Sequence, residues 1–197
     1  NKAIYQLKVP LQTGNNTIEL FASNKAQSIE SKHKTINVKW DGKIEKPNLF
    51  VLTLGINKYK IRQNWLEFAV PDAQAVSDAF CNLNSTLFKD IFVFSLFDNE
   101  VTKDGITEKF KELSKLIKKD DVFILYLAGH GRTYNADYYY IPVDYYGSRE
   151  EQILEMGISK YNFIEYLSQL DASKILILID TCGSGGFVGT TTNKELK

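Results

Sequence analysis

The chain has 197 residues, 44% hydrophobic and 24% charged; this excludes intrinsic disorder as the main state and suits one α/β domain with part of another. Lys plus Arg and Asp plus Glu both number 24, so no basic footprint for nucleic acid is present. No apolar run approaches the ~20 residues needed to span a membrane.

The first 40 residues read as strands. Tyr5, Leu7 and Val9 alternate with polar residues, as do Ile18, Leu20 and Ala22, and then Ile36, Val38 and Trp40. Thr13-Gly14-Asn15-Asn16 reads as a turn between the first two. Three strands are too few for a sandwich. Residues 1–40 are therefore expected to be a β-rich fragment of a sandwich-like domain, or else a β extension packed on the main domain. The chain starts at Asn1 with no charged-then-apolar leader, and is expected to be an internal or processed segment. The polar stretch 41–47 carries Gly42 and Pro47 and reads as a linker.

From residue 48 the texture changes. Leu49–Ile56, Ile91–Phe97, Val122–Ala128 and Ile175–Ile179 are continuous apolar runs. Such runs fit strands covered on both faces, as in a parallel sheet. Helical spacings separate them: Ala73, Val76, Phe80, Leu83; then Ile106, Phe110, Leu113, Ile117 after Thr102 or Asp104; then Phe163, Leu167, Leu170 after Ser159. Tyr138–Val143 reads as a hairpin or a loop strand. Alternating strands and helices predict a mostly parallel sheet flanked by helices, an α/β domain over 48–197.

Chemistry concentrates beyond two of these strands. His130 follows the third run in Ala128-Gly129-His130-Gly131, and Cys182 follows the fourth in Asp180-Thr181-Cys182-Gly183-Ser184-Gly185. Ligands bind beyond the carboxyl ends of parallel strands. An imidazole there can draw the thiol proton, and the thiolate can attack a carbonyl. Gly131 and Cys182 offer backbone N–H groups for the oxyanion. His33 reads as a surface residue and Cys81 as a small buried hydrophobe in a helix. The turn after Cys182 fails the dinucleotide and P-loop patterns, because Val188 replaces the last glycine and no Gly-Lys-Ser/Thr follows. One His and one Cys do not make a zinc set. No cofactor is expected.

These residues resemble the caspase-like cysteine peptidases, metacaspases and bacterial caspase homologues included. His130 and Cys182 lie 52 apart, close to the caspase spacing of about 50. Asp180–Gly185 is similar to the D-x-C-x-S-G cysteine loop of metacaspases. Leu52–Tyr59 is similar to the family's first strand, Leu66–Ala73 to the start of its first helix, and Tyr140–Asp144 to its Y-x-x-P-x-D segment. The resemblance covers about residues 48–190 and implies a caspase-hemoglobinase fold, a protein or peptide substrate, and a Cys182–His130 dyad. Asp180 stands where caspases carry Gln, and with Asp72 it matches the two carboxylates of the metacaspase primary pocket. The implied cleavage is after Lys or Arg. Asp72 also reads as a helix cap, and Asp180 as a strand-end turn residue. The acidic cluster of calcium-dependent metacaspases is absent, so no metal site is expected. By resemblance about two more strands follow the nucleophile loop. The polar tail ends on Lys197, a residue type the implied pocket accepts. The chain is therefore expected to be the larger product of self-cleavage after Lys197, held to a smaller C-terminal chain, with a disordered tail as the alternative. An inactive interaction module of the same fold, or a peptidase of other specificity, is the alternative.

Overall fold

The structure, a computed structural model, describes residues 6–42, 45–147 and 149–182. The chain divides into two compact units, residues 1–45 and 46–197.

In the first unit β1 (Gly14–Leu20) and β2 (Lys34–Trp40) form an antiparallel pair with Ile18 opposite Ile36. The strand expected around Leu7 and Val9 does not form; both side chains are exposed. Pro10 lacks an N–H for a ladder. The Asn16 side chain ties down Gln12 instead, accepting its N–H at 2.7 Å and donating to its carbonyl at 2.6 Å. Gly14–Asn16, expected as a turn, opens β1. His33 is exposed as expected. Its Nδ1 lies 2.8 Å from Glu19, its Nε2 3.2 Å from Glu30, and its ring stacks on Phe21. The hydrogen bond with Glu19, then that with Glu30, raises its pKa.

The second unit is built on β3 (Leu49–Gly55), followed by α1 (Ala69–Cys81), β4 (Ile91–Phe97), α2 (Lys103–Leu116) and β5 (Val122–Gly129). A hairpin comes next, β6 (Gly131–Tyr134) and β7 (Asp137–Tyr140), then α3 (Ile153–Met156), β8 (Ile158–Ser159), α4 (Lys160–Ser168) and β9 (Lys174–Thr181). Strands β4, β3, β5 and β9 form a parallel sheet in that order, flanked by helices. Strands β6, β7 and β8 form a small antiparallel sheet.

The apolar runs explain the layers. Phe50, Leu52 and Leu54 of β3 join Phe123, Leu125 and Leu127 of β5 in one core with Ile106, Phe110 and Leu113 of α2 and Phe163 and Tyr166 of α4. On the other face Tyr126 and Ala128 pack on Ala69 and Ala73 of α1. Both central strands are thus covered on both sides, as continuous apolar runs require. The last run departs from that rule. Leu176 is 50% and Leu178 37% exposed. Strand β9 lies at the sheet edge, and among the described residues no element covers its Leu176–Leu178 face or takes its free edge.

Helix starts follow local chemistry. Thr102 caps α2 by accepting the Gly105 N–H at 2.9 Å, and Ser159 caps α4 through Asn162. Helix α1 begins four residues earlier than its periodicity suggests. Phe68 at its N-cap makes no side-chain bond; Asn57 takes over, its Oδ1 accepting the Val70 N–H at 3.0 Å. Pro71 sits in the first turn, where its missing N–H costs nothing. Asp72 is therefore a first-turn residue and not a cap. Cys81 ends α1 and is exposed, which corrects its expected burial.

Candidate active site

The β5–β9 ladder sets the site. Val122 pairs with Lys174 and the register runs unbroken to Gly129 opposite Thr181. Each residue of β5 faces the one 52 positions later, the spacing that separates His130 from Cys182. Both residues leave their strands at the same level of the sheet, on strands ~4.8 Å apart.

His130 is held from several sides. The backbone at Gly129 has φ +147°, and a Cβ there would lie 2.7 Å from the Tyr59 hydroxyl. Glycine is required on both counts. The next N–H, that of His130, donates to the Tyr59 hydroxyl at 2.7 Å. The two rings lie 4.8 Å apart, centre to centre, tilted by 43°. The imidazole Nε2 is 2.8 Å from the Asn64 carbonyl oxygen. A carbonyl only accepts, so Nε2 carries the proton in the neutral ring and Nδ1 keeps its lone pair. Tyr59 is itself anchored. Its carbonyl accepts the Trp65 indole N–H at 2.8 Å, and Asp98 accepts the neighbouring Asn57 and Lys58 amides at 2.8 and 2.9 Å. Burial pushes the Tyr59 phenol well up, so it stays neutral.

The cysteine side is anchored by Tyr138. Its hydroxyl lies 2.7 Å from Thr181 Oγ1, and its pKa is pushed up to about 12, chiefly by burial. Cys182 itself is exposed. Gly131 approaches it closely: a Cβ on Gly131 would stand 2.5 Å from the Cys182 carbonyl oxygen. The β6–β7 turn is two residues long, with φ of 50° at Asn135 and 67° at Ala136. Such a turn closes on a hydrogen-bonded pair, here Tyr134 and Asp137, and pairs then alternate. Gly131 opposite Tyr140 is thus a non-bonded pair, and its N–H is not spent on β7.

Asp72 and Asp180 come together. Both line a cavity of about 190 Å³, with Ala128 and Gly129 of β5 in its wall. Asp72 comes from the first turn of α1 and Asp180 from the end of β9. Sequence reasoning missed two further groups here. Glu67 also lines the cavity, and Tyr126 donates its hydroxyl to Asp180 Oδ2 at 3.0 Å. It also missed the work of Asn57, Tyr59 and Tyr138, although the first two sit in the strand motif that carried the resemblance. Lys197 and the glycines after Cys182 lie outside the described residues. Among the described residues no group of three or more His, Cys, Asp or Glu could hold a metal ion, and no helix is long and apolar enough to cross a membrane.

Comparison with known proteins bears on this geometry. No curated protein matches the chain. Among solved structures, protein GSU0716 from Geobacter sulfurreducens is similar with a TM-score of 0.53 at 18% identity, a likeness of fold alone. The match covers 69% of this chain and 51% of that one, so the chain spans about half the length of that structure. Residues 49–196 match the family model of the caspase domain. With that match over most of its length, and with a parallel sheet flanked by helices, the chain belongs to the caspase-domain family of cysteine peptidases.

Proposed function

We propose that this chain is the larger part of a cysteine endopeptidase that cleaves after Lys or Arg. The observation that supports the reading most is the β5–β9 register, in which Gly129 and Thr181, the residues just before His130 and Cys182, lie opposite each other. In this mechanism Nδ1 of His130 takes the thiol proton of Cys182. The thiolate attacks the scissile carbonyl carbon, and its oxygen becomes an oxyanion facing the N–H groups of Gly131 and Cys182. The imidazolium then protonates the leaving amine as the C–N bond breaks. Water hydrolyses the resulting thioester by the reverse proton path and frees the thiol. The Asn64 carbonyl supports this by holding Nε2–H, which fixes the tautomer and orients Nδ1.

The Asp72–Asp180 cavity supports a basic residue before the cut. A charge-assisted hydrogen bond is worth roughly 1.5–3 kcal/mol. Asp180→Ala should therefore lower turnover of Arg and Lys substrates by about tenfold or more. A fluorogenic peptide panel varying the residue before the cut tests the whole reading. Preference for Asp substrates would defeat the pocket. A folded chain that cuts nothing, and whose Cys182 ignores acyloxymethylketone probes, would favour an inactive interaction module.

The edge of β9, unpaired among the described residues, and the exposed Leu176 and Leu178 support a further polypeptide beside it. We take this to be the smaller C-terminal chain, freed by self-cleavage after Lys197. Mass spectrometry of the longer protein should find the cut in wild type and not in Cys182→Ala. A cut that persists in the variant defeats self-cleavage.

A further inference from the structure

The specificity cavity is walled by β5 at Ala128 and Gly129, but the contact that organises it comes from lower on the same strand. Tyr126 is 8% exposed and packs with Ala69 and Ala73 of α1. Its register partner on β9 is Leu178, two residues before Asp180. From there its hydroxyl reaches up the strand and donates to Asp180 Oδ2 at 3.0 Å. Tyr126, Ala128, Leu178 and Asp180 share one face of the sheet, because strand side chains alternate.

Asp180 sits near the end of an edge strand and is exposed. Left alone, such a carboxylate samples several rotamers, and only some face the cavity. The phenol removes that freedom from one oxygen and leaves Oδ1 to the ligand. Packing against α1 holds the phenol itself. Burial first, then the hydrogen bond to Asp180 and the charges of Asp180 and Asp72, push its ionisation well up. It therefore remains a neutral donor across the range in which Asp180 is useful.

We propose that Tyr126 is a positioning residue for specificity: it presents Asp180 to the basic side chain of the substrate. This rests on the reading of the cavity as a basic-residue pocket and adds the residue that makes the pocket selective. Tyr126 touches no reacting atom, so its loss should act on recognition and not on the chemical step.

The test separates this role from a general effect on folding. Binding of acetyl-arginine amide, and of its uncharged isostere acetyl-citrulline amide, is measured by calorimetry on the Cys182→Ala protein. Tyr126→Phe keeps the ring and loses only the hydroxyl. It should weaken acetyl-arginine amide about fivefold to tenfold and leave acetyl-citrulline amide unchanged. In an Asp180→Asn background the same change should have no further effect. In the active protein, KM for Arg substrates should rise with kcat kept, and iodoacetamide should label Cys182 at the parent rate. Equal binding of the arginine probe by Tyr126→Phe and its parent overturns the proposal. So does a loss that persists in Asp180→Asn, because Tyr126 would then act through the fold. No binding by the parent at all defeats the basic pocket itself, and is told apart by that readout.

Discussion

Cys182→Ala should reduce peptide hydrolysis by more than about 10⁴-fold while the protein stays folded. The methyl group that replaces the thiol cannot form the thioester, so the two-step path is closed. The fold should tolerate the change, because Cys182 is exposed and its truncation opens no cavity. A stability change within about 0.5 kcal/mol is expected. His130→Ala should cost about 10²–10⁴-fold, the usual weight of a positioned proton acceptor. The thiol remains in that variant, but it must find its thiolate without help, and only a few per cent of a free thiol is ionised at neutral pH. Labelling of Cys182 by iodoacetamide should slow accordingly. Fluorogenic turnover, thermal unfolding and labelling rate together check this. Activity retained by Cys182→Ala would overturn the assignment of the nucleophile.

Strands and helices of the second unit were legible because their signals are local and repeated. Phe50–Leu54 and Phe123–Leu127 are almost wholly apolar, and a strand with helices on both faces has no use for alternation. The same signal misled at β9. Ile175–Ile179 reads like a central strand, yet Leu176 and Leu178 are exposed and no element among the described residues covers that face. Sequence shows what a strand would bury and not whether a neighbour is present to bury it. The start of α1 was hidden for a related reason. Its cap comes from Asn57, thirteen residues before Val70, and no window over Phe68 alone reveals it. The first expected strand failed because period-2 alternation near Leu7 says nothing of the turn that Asn16 imposes on Gln12.

In the candidate site, the proposed nucleophile and histidine stood out in the sequence, since rare residue types lay just beyond strand ends. Its scaffold was not. Tyr59, Tyr126 and Tyr138 belong to a chain with 11 tyrosines, and composition alone marks none of them. Only the fold shows that their hydroxyls meet His130, Asp180 and Thr181. The register explains why a spacing of 52 works: the loop, hairpin and helices between β5 and β9 return the chain to the matching level of the sheet. An insertion in that connection would alter the spacing and leave the geometry intact. A one-residue slip of β9 would ruin it.

Gly131→Ala should abolish most activity with a far smaller effect on stability. The added methyl would stand 2.5 Å from the Cys182 carbonyl oxygen, 2.6 Å from Thr181 Oγ1 and 2.8 Å from a Tyr138 ring carbon. None of these yields easily. One is backbone, one is a hydroxyl tied to Tyr138 at 2.7 Å, and one is a ring buried in the core. The end of β9 must therefore move away from the β6 hairpin. A displacement of about 1 Å between reacting groups costs on the order of 10²-fold in rate. The same shift carries the Cys182 N–H away from the Gly131 N–H, and loss of one oxyanion donor costs a further 10² to 10³, roughly. The stability loss should stay near ~1–3 kcal/mol, the usual weight of one methylene too many. Thr181 is half-buried and Cys182 exposed, so the end of β9 can shift without breaking the ladder below. Turnover, Cys182 labelling and thermal unfolding of the purified variant check this. A Gly131→Ala protein that turns over peptide at the parental rate would show that this close approach has no part in the working arrangement.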